Sequence, residues 1–385
     1  MDFELNEEQK LVKQNARSFM EREIIPVVNT YEKMTHLPNQ AAHELLKTII
    51  PLGYLNGPFP KECGGMALDW TSYAVLYEEL ARAWGSLAGI VQIQIAGAHY
   101  LAAPGAEDQR WHLAALFAGD KIWCEAGTEP EAGSNLAECK TIAALDNDYY
   151  VINGTKTWIS CAFIAEMAIV LALMDPSKGS RGMSLIIIDK EVSPFATRLL
   201  PKIGMRCWDN AELTFEDCWV HRKNIIGEPG SGFRRFMAGV ELSRCCISMN
   251  SLGAAQAALD SAIDYAKQRR QFGKVIGQFQ LIQGMLADMW ADVEAARFLV
   301  YRAFQSLDQE EGRARNVALA KSFAPRVAVR VTSEAMEVLG AYGLSEEYQL
   351  ERYFRDARVA VVPDGTTQMQ QLIVGRDLLG ISAFA

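Results

Sequence analysis

Apolar side chains in the first part of the chain recur at helical spacing. Leu11, Val12, Ala16, Phe19, Met20 and Ile24 trace one face of a helix. Asn6, with Gln9 three residues on, reads as an N-cap and its return acceptor, and Pro26 falls near the end of the pattern. The same spacing predicts helices over Asn39–Ile50, Thr71–Trp84 and Gln109–Ala118, set apart by Gly57-Pro58-Phe59-Pro60 and Cys63-Gly64-Gly65. Beyond Lys121 the pattern turns short and β-branched. Tyr149 to Ser160 reads as two strands around an Asn153-Gly154 type I′ turn, and Ser184–Ile188 and Ala211–Phe215 read as further strands. After Gly230-Ser231-Gly232, long helices are predicted over 233–270, 278–309 and 315–339, lengths that suit a bundle. Pro325 should kink or break the third. The expected class is α+β, mainly α. The expected domains are an N-terminal α-helical domain over 1–121, a central β-sheet domain over 122–232 and a C-terminal α-helical bundle over 233–385.

Composition narrows the classes. The 385 residues are half hydrophobic and 22% charged, as in an ordinary globular protein of two to three domains. Lys and Arg number 38 against 47 Asp and Glu, a net charge of −9, which argues against nucleic acid as the main partner. No apolar run reaches the ~18 residues of a membrane span. The start, Met1-Asp2-Phe3-Glu4-Leu5, resembles neither a signal nor a transit peptide, so the Asn153-Gly154-Thr155 sequon carries little weight. Eight cysteines without a C-x-x-C pair fit free thiols in a reducing cytoplasm. Five histidines without ligand spacing give no reason to expect a metal.

Five stretches carry candidate chemistry. Thr128-Glu129-Pro130-Glu131-Ala132-Gly133-Ser134-Asn135 offers a turn whose backbone N–H groups suit a phosphate, or is only a turn. Lys156-Thr157-Trp158-Ile159-Ser160 places a tryptophan on a strand, as core or as cofactor wall. Gln268-Arg269-Arg270-Gln271-Phe272-Gly273-Lys274 ends one helix just before Gln280, and reads equally as a solvated basic helix end. Glu337-Val338-Leu339-Gly340-Ala341-Tyr342-Gly343 is a glycine-marked helix exit. Arg355-Asp356 is followed by Asp364-Gly365-Thr366-Thr367-Gln368.

In this order, these stretches resemble the acyl-CoA dehydrogenase family from Leu5 to Gly380. Gly127 stands where a branched aliphatic is usual, Asn135 where an aspartate is, and Ala341 where a Gly or Ser is. The resemblance implies FAD in a homotetramer, an acyl-CoA substrate and an electron-transferring flavoprotein as acceptor. It implies that Glu125, Ala126, Gly127, Thr128 and Ser134, with Trp158, Ile159 and Ser160, line the flavin ring. Arg269, Phe272 and Gln280 of a neighbouring subunit would meet the pyrophosphate and adenosine, Glu337, Gly340 and Ala341 would add to that site, and Thr366 and Gln368 would close it. An arginine fork suits a pyrophosphate and an aromatic suits a flat ring. Ser134, Glu241, Ser243, Arg244 and Gly365 would hold the CoA thioester, although Glu241 and Arg244 read equally as a surface ion pair.

The family reaction takes a proton from the carbon beside a thioester while hydride leaves the next carbon for the flavin. The usual base is a glutamate directly before Gly-Thr, and here that position is Asp364. Aspartate keeps the carboxylate but retreats by ~1.5 Å, one bond length, and a misplacement of about 1 Å can cost ~100-fold. Some branches take the base from the residue before the arginine on the Glu241 helix, but here that residue is Ser243. Glu125 is the second candidate. The shorter base suits a bulky, branched or cyclic acyl group such as cyclohexanecarboxyl. A biosynthetic relative acting on a carrier-protein thioester and a non-redox member of the fold are the alternatives. Substrate choice is expected near Gly89–Gln94, where Gln92 and Gln94 either touch a polar group or face solvent.

Overall fold

The computed structural model describes residues 4–383. The first three residues of the expected N-terminal domain and start signal, and the last two of the expected bundle, lie outside the described residues. The N-terminal part is helical: α1 (Glu7–Phe19), a π turn over Met20–Ile24, α2 (Ile25–Tyr31), α3 (Asn39–Ile49), α4 (Trp70–Ala83), α5 (Gly85–Ala102) and α6 (His112–Phe117). Asn6 caps α1 in the expected reciprocal box with Gln9. Helix α5 is buried on nearly every side, so it is central to the molecule.

The middle part is an eight-stranded sheet of β1 (Trp123–Ala126), β2 (Ile142–Asp146), β3 (Tyr149–Ser160), β4 (Met167–Leu173), β5 (Met183–Asp189), β6 (Ala196–Leu199), β7 (Asn210–His221) and β8 (Ile225–Ile226). The order is β6-β7-β3-β2-β4-β5-β8, with β1 parallel to β4. The Asn153-Gly154 hairpin is corrected: β3 runs unbroken through it, and the chain reverses instead at Asn147, with Asp146 paired to Tyr149. Gly154 answers to crowding. It sits at a shift in the β3–β7 register, and a Cβ there would lie 2.6 Å from the Thr141 hydroxyl. Asn153 uses its side chain to bridge to Asp217 on β7.

The C-terminal part holds α7 (Gly232–Gln268), a short hairpin of β9 (Arg270–Gln271) and β10 (Lys274–Val275), α8 (Gln280–Gln305), α9 (Arg313–Leu339), α10 (Leu350–Ala360) and α11 (Thr367–Leu379). Helix α7 packs on α9, α4, α5 and α10, and so joins the bundle to the N-terminal helices. Helix α9 runs through the buried Pro325 without the expected break. All eight cysteines are free thiols, and only Cys63 is more than slightly exposed. No helix among the described residues is long and apolar enough to cross a membrane.

Asp209 ties the end of β3 to the start of β7. One carboxylate oxygen accepts the Phe163 N–H at 2.8 Å and its carbonyl accepts that of Cys161 at 3.0 Å. Burial pushes this carboxyl up to about 6. The folded value exceeds the ~3.9 of an unfolded chain, so the native state binds more protons in between. The stability this group contributes therefore falls as pH rises from about 4 to 6 and stays lost above. Asp209→Asn is expected to remove on the order of 2 kcal/mol of the loss between pH 4.5 and pH 8. Denaturant melts at the two pH values check this, and an unchanged pH dependence contradicts it.

Candidate functional site

The turn between α10 and α11 is built around Asp364. Thr366 caps α11, and Asp364 and Gly365 take left-handed φ of 57° and 93°. Aspartate tolerates that region better than most residues. The turn is held by its carbonyl oxygens. Arg244 Nε donates to the Asp364 carbonyl at 2.8 Å, and Gln370 Nε2 donates to the carbonyls of Asp364 at 3.2 Å and Gly365 at 3.0 Å. Lys321 Nζ donates to the Ala360 carbonyl at 2.9 Å. Lys321 and Arg244 are both buried. At the carbonyl end of α10 a cation also meets the favourable pole of the helix dipole. The Asp364 carboxylate accepts Gln92 Nε2 of α5 at 3.1 Å. Burial raises this carboxyl above the ordinary range, and Lys321, Arg244 and the Gln92 hydrogen bond oppose the rise.

Glu125 reaches the same place from β1. The Tyr100 hydroxyl of α5 lies 3.2 Å from Glu125 Oε2 and donates to it. Glu125 Oε1 is buried and meets no protein partner among the described residues. Burial, and then the charge of Asp364, raise the Glu125 carboxyl well above the ordinary range. One carboxyl thus sits among cations and the other beside a phenol and a carboxylate, which drives their protonation apart.

A second group of expected residues lies along β3. Lys156, fully buried, donates to Glu129 at 2.8 Å and to the Gly127 carbonyl at 2.9 Å, and the Thr157 N–H donates to the Thr128 carbonyl at 2.9 Å. These bonds pin the 127–134 loop beside Trp158, whose indole is 56% exposed. Asn210 Nδ2 donates at 3.1 Å to both the Trp158 carbonyl and the Ser160 hydroxyl. Ser134 is exposed on the same loop. The Ile159 side chain is buried in the core, because neighbours on a strand face opposite ways, so this residue offers only its backbone to the Trp158 face. Ala126 and Gly127 are buried as well, so they offer backbone only. A Cβ on Gly127 would lie 2.4 Å from the Phe236 ring. That ring fills the space a side chain at 127 would need.

A third group gathers where α7 ends and α9 ends. The Arg269 guanidinium lies 5.8 Å from the Tyr342 ring, beside the exposed Glu337, Gly340 and Ala341. Phe272 is 93% exposed and Gln280 opens α8 nearby in sequence. Gln368 is exposed on the first turn of α11. An exposed indole, exposed guanidinium and hydroxyl donors, and uncovered apolar rings fit a flat heterocycle carrying phosphates.

The surface ion pair between Glu241 and Arg244 is corrected. Glu241 accepts Arg313 Nε at 2.7 Å, while Arg244 turns inward to the Asp364 turn, because residues three apart here meet different neighbours. Ser243 is buried next to Arg244. Gln92 and Gln94 are both buried. Gln92 touches Asp364, and Gln94 braces the Trp123 backbone at the start of β1. Tyr100, Lys321 and Gln370 were not legible as site residues, since their partners lie far away in the sequence or on the backbone.

Three family profiles match the chain: "Acyl-CoA dehydrogenase, N-terminal domain" over residues 6–120, the "middle domain" over 124–218 and the "C-terminal domain" over 230–379. The cyclohex-1-ene-1-carbonyl-CoA dehydrogenase of Syntrophus aciditrophicus is 36% identical, over 98% of this chain and 91% of that one. The CarC subunit of the caffeyl-CoA reductase–Etf complex of Acetobacterium woodii is 34% identical, over 97% and 99%. The solved butyryl-CoA dehydrogenase from Megasphaera elsdenii aligns with a TM-score of 0.93 at 34% identity, over 98% and 100%.

Lys321 is fully buried, and burial lowers its ammonium to about 8. Lys321→Met is expected to weaken the ionised form of Asp364, moving the acid limb of the pH–rate profile for flavin reduction to higher pH. Lys321→Arg should restore most of it. Superimposable profiles for wild type and Lys321→Met contradict this role.

Proposed function

We propose, for a chain that belongs to the acyl-CoA dehydrogenase family and is thereby an FAD-dependent oxidoreductase, α,β-dehydrogenation of an acyl-CoA thioester with Asp364 as the base. The observation that carries this reading is the fixing of Asp364. Its carbonyl is held by Arg244 and Gln370, and its carboxylate is oriented by Gln92. Asp364 takes the proton from the carbon beside the thioester carbonyl. Burial makes the carboxylate a stronger base, and the two cations favour its anionic form. Run backwards, the same carboxyl returns the proton. FAD, when bound, accepts the hydride from the β-carbon. Trp158, Ser160, Thr128 and Ser134 would hold its ring end, and Thr366 and Gln368 would close over it. Arg269, Phe272, Gln280 and the Glu337–Ala341 exit of a second subunit would hold its phosphate and adenosine end.

The acyl group in this reading is bulky or cyclic. A base one methylene short leaves room beside it, and the relatives include one named for a cyclohexenecarbonyl thioester. The thioester end would lie along Ser134, Glu241, Ser243, Arg244 and Gly365. The Etf complex of a relative supports an electron-transferring flavoprotein as acceptor. Phe272, 93% exposed, and Leu281, 84% exposed, need cover, and a second copy in a homotetramer supplies it. Buried free thiols suit a reducing cytoplasm.

Anaerobic addition of cyclohexanecarboxyl-CoA is expected to bleach the flavin faster than butyryl-CoA. Asp364→Glu should favour butyryl-CoA relative to wild type by roughly 10- to 100-fold in the ratio of rates. A purified protein that takes up no FAD, or a wild type that prefers butyryl-CoA, contradicts the proposal.

A further inference from the structure

Two polar atoms on side chains that face Asp364 lack a hydrogen-bond partner among the described residues. Glu125 Oε1 and Gln92 Oε1 are both buried and meet no protein partner among the described residues. The other end of each side chain is engaged: Glu125 Oε2 accepts from Tyr100 at 3.2 Å, and Gln92 Nε2 donates to Asp364 at 3.1 Å. An unsatisfied buried polar group is costly, and folded proteins rarely leave one so. A plain hydrocarbon chain against this wall would leave both unsatisfied.

We infer that the acyl group carries a neutral oxygen substituent beyond its β-carbon, most simply a hydroxyl, recognised by Glu125 and Gln92. This rests on the dehydrogenase reading above. The chemistry follows from what each atom can offer. Gln92 Oε1 only accepts. Burial and the charge of Asp364 favour the protonated form of the Glu125 carboxyl, the form that can donate. A hydroxyl supplies both complements, an acceptor for Glu125 and a donor for Gln92. A carboxylate substituent would add a further negative group beside Asp364, and Gln92 Oε1, which only accepts, gives it no donor. An ammonium would add a third positive charge beside Arg244 and Lys321. Tyr100 and Phe236 stack on each other at 6.2 Å and 11° beside Glu125 and are both buried, so water has little access to its carboxyl.

The test uses holoenzyme with 3- and 4-hydroxycyclohexanecarboxyl-CoA, cyclohexanecarboxyl-CoA and 4-aminocyclohexanecarboxyl-CoA. Binding is read by calorimetry in the Asp364→Asn background, where turnover does not interfere, and oxidation by anaerobic flavin reduction in wild type. At least one hydroxylated thioester should bind and react about 10-fold or more better than the plain one, as for a site built to hydrogen-bond its ligand. Adding Glu125→Leu should bring that ratio to within about twofold of one, whereas Glu125→Gln, whose amide still donates, should keep most of it. Should Glu125→Leu not fold, as judged by its flavin spectrum, Glu125→Met gives the same readout. Equal preference for plain and hydroxylated thioesters, tighter binding of the amino compound, or a preference that survives Glu125→Leu overturns the inference. If wild type oxidises the plain thioester with no hydroxyl preference, only this inference falls. If no thioester bleaches the flavin, the dehydrogenase reading falls and takes the inference with it.

Discussion

Two buried cations that bind backbone carbonyls hold the site in shape. Lys321, on α9, closes the end of α10, and Arg244, on α7, grips the carbonyl of the next turn. A buried charge without a partner is costly. Here Lys321 takes up a carbonyl that the end of α10 would otherwise leave unbonded, and Arg244 takes up one in the turn that follows. The Asp364 turn must therefore stay where α7 and α9 put it. Its carboxylate then reaches α5 through Gln92, and Glu125 approaches from β1. Helices α5, α7 and α9 meet at the Asp364 turn, and each is held there by a hydrogen bond.

The two carboxyls differ in what surrounds them. Asp364 is flanked by cations and Glu125 by a phenol and a like charge. One is suited to accept a proton and the other to keep its own. Burial acts on both in the same direction, so the difference comes from their neighbours, and those neighbours lie on the helices that frame the turn.

Much of this was legible in the sequence. The helical periods of α1, α3 and α4, and the change of period near Lys121, follow from side-chain spacing that burial imposes. Asp364 stood out because it occupies a motif position in a different length. Other features were hidden for physical reasons. The Asn153-Gly154 pair looks like a turn, but it serves a register shift and a close approach to Thr141, which only the third dimension shows. Pro325 did not break α9, which runs on through it with the proline buried. Gln92 meets Asp364 across 272 residues, and Lys321 binds carbonyls, which carry no sequence identity at all.

The claim at the centre of this account is that Asp364, and no other group, removes the α-proton. It is tested most directly with 3,3-dimethylbutyryl-CoA, whose β-carbon has no hydrogen to lose. Deuterium uptake at its α-carbon, followed by NMR in heavy water, reports proton removal without oxidation. The account predicts exchange catalysed by wild-type holoenzyme, a rate roughly a thousandfold or more lower in Asp364→Asn, and a rate within about tenfold of wild type in Glu125→Gln. Exchange at the wild-type rate in Asp364→Asn, or its loss in Glu125→Gln alone, would contradict it.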